Sequence, residues 1–344
     1  MKKNITFFNK LLYFINSIFA FVLIVSYIIP YVKPTVLGSF AGLGLLTPVF
    51  IMINIFFLMY WLIGLNRTFL LSLFVLAIGF AYLPRLYKIK GKKELLADDV
   101  KVMSYNVRMH NKFNWIKSDS IKQKINQLVE SKSPDILCVQ EYSENKTIEE
   151  AFKYKFIKYS GKKKSFGHAI FSKFPLINQG SIDFKESANR IVFSDIIIEK
   201  DTVRLYNIHF QSLRINPKEE NFGEEDANKL RDRISNVFQK QQGQVELFLL
   251  HQKAVDYPII VAGDFNNTAF SWLYRRVLKG KKDAYVEAGK GFDKTYDFPF
   301  PTRIDYIFVD KSIKVNHFKA YRDKLSDHFP VLARLDRESI KSRD

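Results

Sequence analysis

The stretch "YPIIVAGDFN", residues 257–266, is a β-branched apolar run that stops on an acid and an amide two positions apart, Asp264 and Asn266. Such a run reads as a buried strand, and Gly-Asp-Phe-Asn after it is ordinary turn chemistry when taken alone. The same arrangement recurs along the chain. "VKVMSYNV" ends near Asn106, "PDILCVQE" ends on Glu141, and "VRLYNIHFQ" carries His209. "RIDYIFVD" opens with Asp305, and "KLSDHFPV" sets Asp327 and His328 ahead of the last apolar run. Each apolar strand therefore delivers a carboxylate, an amide or an imidazole to its boundary.

Each of these residues also has a structural explanation. Asn106 caps a turn, Glu141 caps a following helix, and Asp305 pairs with Arg303 two positions before it. What the separate explanations do not account for is the ordered recurrence. Strands gathered into sheets would bring these groups to one rim. Phosphoester hydrolysis needs that inventory: carboxylates to hold a cation, a base for the attacking water, and donors for the charged phosphoryl oxygens.

Between the strands lie helical signatures, "SIKQKINQLVESK" and the later part of the charged stretch 218–252, while "HAIFSKFPL" and "RIVFSDIIIE" add further strands. Together they predict a layered α/β domain over residues 98–337, richer in strands than a simple βαβ repeat. The lone Cys138 sits within "DILCVQ" and reads as a buried core residue with no disulfide partner.

The first 84 residues differ sharply, because they contain no Asp or Glu and the first acid is Glu94. Three apolar stretches fill them, at 11–30, 40–64 and 68–84. About 20 apolar residues cross a hydrocarbon core, so the first two qualify and the third is marginal. None shows the polar face of a soluble core helix. We therefore expect a membrane region with about three transmembrane helices over 1–84, a basic linker over 85–97, and a tail over 338–344. The expected location is integral to a membrane, the cell inner membrane.

An odd number of spans places the N-terminus and the large domain on opposite sides. Lys2, Lys3, Lys10 and Arg67 argue for an exported domain, and the basic cluster "RLYKIKGKK" (85–93) argues against it. The first helix commonly dominates, which leans toward export. Of the formal charge of +18, only five basic residues precede position 85, which leaves 48 basic against 35 acidic residues beyond it. A domain so basic attracts anionic partners, lipid head groups or nucleic acid, without choosing between them.

"GDFN", then "RIDYI", then "SDH" resembles the endonuclease/exonuclease/phosphatase superfamily, the DNase I-like proteins, over about residues 98–337. The resemblance implies a four-layered α/β sandwich, two packed mixed β-sheets flanked by helices, with the site at one edge. It implies a Mg²⁺ site, with Mn²⁺ as a substitute, in which Glu141 is the main ligand beside Asn106 and Asp327. Asp264 would orient and deprotonate the attacking water, and Asn266 would fix the phosphate. His328 would contact a phosphoryl oxygen with Asp305 orienting its ring, and His209 resembles the second histidine of the DNase and sphingomyelinase branches.

Two departures matter. Arg108 stands where AP endonucleases carry a second acid, and "NIHFQ" offers a histidine where they carry a tyrosine-containing segment. Both point away from DNA repair. Arg108 and Arg190 are candidate contacts to substrate phosphate, and the aromatic segment 289–305 is a candidate substrate-facing loop.

Two substrate classes follow. A membrane-anchored phosphoesterase would act on a lipid-linked phosphate, pyrophosphate or phosphodiester. An envelope nuclease would use the same machinery on DNA or RNA, with the lysines of "GKKKSFGH" (161–168) on the backbone. A non-catalytic binding protein on the same fold is disfavoured, since Glu141, Asp264 and His328 are all present. No protein partner is readable.

Overall fold

A computed structural model describes residues 6–92, 94–161, 166–185, 187–213 and 227–341. The lysines at 162–164 and the acidic stretch up to residue 226 lie outside the described residues.

Among the described residues the strands are β1 Val100–Asn106, β2 Ile136–Tyr142, β3 Tyr154–Ser160, β4 Phe166–Ser172, β5 Leu176–Asp183 and β6 Arg190–Ile198, followed by β7 Asp201–His209, β8 Ile259–Asp264, β9 Lys281–Asp283, β10 Asp305–Asp310, β11 Val315–Ala320 and β12 Val331–Leu335. They form two six-stranded sheets, ordered β11-β12-β1-β2-β4-β3 and β5-β6-β7-β8-β10-β9. Each sheet is mixed: β1 runs parallel to β2, and β7 parallel to β8, while the other pairs are antiparallel.

Alternation along the strands explains the layering. Val102, Cys138, Ile260, Ala262 and Ile307 face the core between the sheets. Their neighbours Met103, Leu137 and Val139 face outward onto one helix layer, and Val261, Tyr306 and Phe308 face outward onto the other. Strands apolar on both faces read as continuous hydrophobic runs, which is how "ILCV" and "IIVA" look. Cys138 is fully buried and free.

The helices are α1 Phe7–Ile28, α2 Pro34–Leu37, α3 Leu43–Ile63, α4 Phe69–Ile78, α5 Leu83–Leu86, α6 Ile121–Lys132, α7 Lys146–Ala151, α8 Ala227–Gln252, α9 Trp272–Leu278 and α10 Ala284–Ala288. Helix α6 covers the first sheet through Ile121, Ile125, Leu128 and Val129, and α8 covers the second through Val245 and Phe248. This is the DNase I-like arrangement of two mixed sheets packed between helices.

Two N-terminal segments, Phe7–Tyr31 and Pro34–Ile63, are long and apolar enough to cross a membrane. The third apolar stretch differs, since Phe69–Ile78 and Phe80–Leu86 meet at a 58° bend and make a third span only if the bent pair counts as one. The bend falls at Gly79, where a Cβ would lie 2.0 Å from the Tyr27 hydroxyl. A side chain there is excluded, and the backbone yields to the tyrosine.

These helices are packed on the catalytic layers. Ala20, Leu23, Phe50 and Val75 share one apolar cluster with Phe270, Trp272, Tyr274 and Phe308. Polar contacts fix the seam: Thr268 Oγ1 donates to the Gly44 carbonyl at 3.0 Å, and Thr35 N to Gln242 Oε1 at 3.0 Å. The segment after α5 is anchored as well, because Lys88 pairs with Gly291 through two backbone hydrogen bonds.

Candidate active site

The parallel pairs of both sheets end at the same edge, and the expected residues gather there. Asn106 closes β1, His209 closes β7, and Asp264 closes β8, with His209 and Asp264 in register. Asp305 opens β10 opposite Asp264. Glu141 lies in a bulge of β2, where pairing with β4 jumps from Val139 to Tyr142. Its φ of +50° is strained for a glutamate, and such strain, typically ~1–3 kcal/mol, collects at functional positions. The bulge breaks the two-residue alternation and turns the carboxylate toward the rim.

Asp264 is the hub. Its Oδ2 accepts from Asn106 Nδ2 at 3.1 Å and from Asn266 Nδ2 at 3.2 Å, and its Oδ1 from the Asn266 backbone at 2.8 Å. The ring nitrogens of His209 and His328 face the same Oδ2 at 3.5 and 3.6 Å. Both oxygens of Asp305 lie against His328 Nδ1, at 3.1 and 3.0 Å. Glu141 Oε1 is 3.3 Å from Asn106 Nδ2 and 4.0 Å from His209 Nε2. Glu141, His209, Asp264, Asn266, Asp327 and His328 line one cavity of about 1470 Å³.

The family model described as the endonuclease/exonuclease/phosphatase family matches residues 103–328, about two thirds of the chain. The chain belongs to the endonuclease/exonuclease/phosphatase family. Members of this family are metal-dependent hydrolases of phosphoester bonds, and so is this protein a phosphoester hydrolase. A second family model, described as a domain of unknown function, matches residues 9–86. No curated protein matches the chain.

Solved structures with the same fold include an endonuclease/exonuclease/phosphatase from Bacteroides vulgatus, at 18% identity and TM-score 0.55, covering 69% of this chain and 98% of that one. The human Nocturnin catalytic domain with bound sulfate aligns at 15% identity and TM-score 0.53, covering 71% and 95%. A Leptotrichia buccalis family protein aligns at 21% and 0.50, covering 69% and 99%.

Charge in the family's site is unevenly matched. Burial would strip the proton from His328, but Asp305 and Asp264 outweigh it and hold the imidazole well above its ordinary value. Burial pushes Asp264 up to about 6, with His328 and His209 opposing and Asp305 assisting. Burial drives His209 down to about 4 and His168 well below the ordinary histidine range, so both rings are neutral at pH 7. Glu141 is raised by burial and by the nearby Asp327.

Among the described residues, one trio of ligand atoms and one separate carboxylate, that of Glu141, could take a cation. Asp264, Asp305 and His328 place theirs within 4.8 Å of one another. In that group, however, the histidine is already an imidazolium between two acids, and a metal would have to displace its proton. Glu141 is better suited: its carboxylate, 29% exposed, accepts from an amide, lies 4.0 Å from a neutral ring, and is raised by burial and Asp327 more than His328 and Arg108 lower it. An oxygen donor set of that kind fits a hard divalent cation that keeps its waters.

Several expectations need correction. Asn266 does not offer its amide hydrogens to a phosphate, because Nδ2 donates to the Phe210 carbonyl at 3.0 Å and to Asp264. It fixes the Asp264 carboxylate. Arg190 pairs with Asp183 on the neighbouring strand at 3.1 Å and does not line the cavity. Arg303 pairs with Asp283 at 2.7 Å, which leaves Asp305 to His328. Arg108 lines the cavity, held by Asp327 at 3.3 Å and lying over the Trp115 ring. In the 289–305 segment, Tyr296, Phe298 and Phe300 line the cavity.

Three residues that strand-end reading misses contact the cluster. His168, buried in β4, contacts His209 Nδ1 through Nε2 at 3.1 Å. Ser326 Oγ donates to the Asn106 carbonyl at 2.9 Å and ties the "SDH" turn to β1. Thr295 Oγ1 accepts from the Asp305 backbone at 3.0 Å. The "SDH" serine was within sight of the sequence pattern, since Ser before Asp is a standard turn-forming residue.

Proposed function

We propose that the protein is a membrane-anchored, Mg²⁺-dependent phosphohydrolase that attacks a phosphoester with an in-line water. The observation that supports it most is the convergence of Asn106, His209 and His328 on one carboxylate, Asp264, beside the partly exposed Glu141.

Glu141, with Asn106 and Asp327 beside it, would hold the cation, and Mn²⁺ would substitute. Bound there, it supplies a Lewis acid that draws charge from the phosphoryl oxygens. Asp264 takes a proton from the attacking water as the new P–O bond forms and the bond to the leaving oxygen breaks on the opposite side. The leaving alkoxide takes its proton from solvent. The imidazolium of His328 donates to an equatorial oxygen and stabilises the charge that spreads there. His209, neutral, offers an N–H on the other side of the same oxygens.

Apolar helices packed against the domain support a place in a membrane and favour a lipid-linked phosphate or phosphodiester as substrate over nucleic acid. The cell inner membrane, with the domain on its exported side, is our proposed location if the bent third pair spans, with the N-terminal lysines held inside. Purified full-length protein should hydrolyse phosphoesters only with Mg²⁺ or Mn²⁺, and Asp264→Asn and His328→Ala should each lose at least ~10²-fold in kcat. Full activity in both variants refutes the site; cation-independent turnover refutes the metal.

A further inference from the structure

The cavity above the Asp264 cluster is lined by two chemically different sets of side chains. One is the polar cluster around Asp264, ringed by Arg108 paired with Asp327 and by Lys294 and Lys324, which share Asp297. The other is apolar, lined by Phe40, Leu43 and Leu46 from the N-terminal segment, Ile234 from α8, and Phe298 and Phe300 from the loop before β10. The N-terminal contribution is the informative one. Leu43 and Leu46 belong to the first turn of α3, the same helix that continues as an apolar span to Ile63. Phe40 is 68% exposed.

We infer that this apolar end is a slot for the hydrocarbon chain of a membrane lipid whose phosphoester lies against Asp264 and His328. The inference rests on the phosphohydrolase reading and names its substrate class. A tail lying in the slot stays against α3 and passes directly into the bilayer along that helix, while the head group sits in the polar, water-facing end. No extraction of the lipid into water is needed. The N-terminal helices are then part of the substrate site and not only an anchor.

A water-soluble phosphoester would leave six apolar side chains facing solvent. A nucleic acid would meet aromatic rings at Phe298 and Phe300, but it would also meet the aliphatic wall of Leu43, Leu46 and Ile234, which offers no stacking face and no donor. The amphiphile matches both ends of the cavity. Rim cations would contact its head group at the membrane surface, where anionic lipid favours them.

The test uses full-length protein in nanodiscs. Phosphatidylglycerol with a diazirine in its acyl chain is photolysed and the attached peptides are mapped; in parallel, hydrolysis of long-chain phosphatidylglycerol, bis(p-nitrophenyl) phosphate and single-stranded DNA is measured with Mg²⁺. Wild type and the pair Leu46→Asp and Phe40→Ser, both on the N-terminal segment and away from the Asp264 cluster, are compared. Expected are adducts on residues 40–46 and 298–300 that the Leu46→Asp change abolishes. Long-chain turnover should fall about tenfold or more in each variant, with the soluble ester unchanged within about twofold.

Adducts confined to the outer faces of α1 and α4 overturn the slot, whatever the activity. Hydrolysis of soluble ester or DNA with no lipid turnover and no slot adducts also overturns it, while leaving the phosphohydrolase reading intact. Slot adducts with no hydrolysis of any substrate support the slot and refute that reading instead.

Discussion

Asp305 holds Nδ1 of His328 with both carboxylate oxygens, at 3.1 and 3.0 Å, while Nε2 of the same ring faces Asp264 at 3.6 Å. A buried ring would normally lose its proton; here two acids keep it. Asp305→Asn removes one of them and leaves a similar shape. We expect kcat to fall by ~10²–10³-fold, the range for losing a placed stabilising group, with little change in KM. Steady-state kinetics, with a melting curve to verify folding, decide it; an unchanged kcat refutes the role.

The same pair fixes the pH profile. Asp264 accepts a proton only when ionised, and burial raises its value to about 6. Activity should therefore rise with pH through about 6 and fall about tenfold per unit below it. His328 acts when protonated, so its loss of a proton sets the alkaline limb, which lies well above the ordinary histidine range. In Asp305→Asn both limbs should move to lower pH, because removing the neighbouring negative charge lowers His328 and Asp264 alike. A profile with neither movement rules the assignment out.

His168 and His209 are neutral, so the 3.1 Å contact between them needs one hydrogen. The carboxylates facing His209 Nε2 favour a hydrogen there, which leaves Nδ1 to accept from His168 Nε2. His168 is thus a positioning residue that sets the tautomer of its neighbour. His168→Phe should lower kcat about tenfold to a hundredfold with KM nearly unchanged, and His168→Gln, which keeps a donor at similar reach, should recover part of it. Equal loss in both variants would indicate a packing role only.

Much of this site was legible in the sequence because strands of a buried sheet are apolar until they end. Asp264, Glu141 and Asp305 interrupt such runs, and an unpaired acid in that position costs too much to be accidental. His168 was not legible: it sits inside β4, and its function arises only because β4 in one sheet lies over β7 in the other. Asn266 and Arg190 were misread for a related reason, since their partners, Phe210 and Asp183, come from other segments. The apolar wall at Phe40 to Leu46 was hidden in plain view, because its residues look like any other part of a span. The bend at Gly79 depends on Tyr27, 52 positions earlier, and no local pattern shows it.

Away from the site, Asp195 and Arg204 form a buried pair joined by Nε and by Nη2 at 3.0 Å, with Tyr257 donating to the same acid at 2.6 Å. Asp195 resists protonation: burial raises its value, but Arg204, Tyr257 and Asn178 more than offset that and depress it. A depressed carboxylate contributes stability above its unfolded value of ~3.9 and loses it as pH falls through the folded value. Arg204→Met strands the acid and should cost about 3–5 kcal/mol at pH 7. Below about pH 4 the gap from wild type should narrow. Denaturation of the two proteins at pH 7 and pH 4 checks both statements, and a gap that widens in acid contradicts them.

The seam between the helices and the domain makes a last prediction, at Gly44. A Cβ there would come within 2.9 Å of the Phe270 carbonyl oxygen, which is backbone and has no rotamer to give way. The Gly44 carbonyl also accepts the Thr268 hydroxyl, so widening the seam breaks that bond too. Gly44→Val should cost ~1–3 kcal/mol, the usual penalty of overpacking. Its effect on catalysis should be selective. Asp264, Asp305 and His328 stand on β8, β10 and the turn before β12, inside the α/β layers, and a shift of α3 does not move them. Leu43 and Leu46, by contrast, move with α3. Hydrolysis of a small soluble phosphoester should therefore survive in Gly44→Val while turnover of a long-chain phospholipid falls several-fold, measured in nanodiscs at a temperature below the melting of both proteins. Parallel loss of the two activities would show that the seam supports the whole domain and not the apolar wall alone.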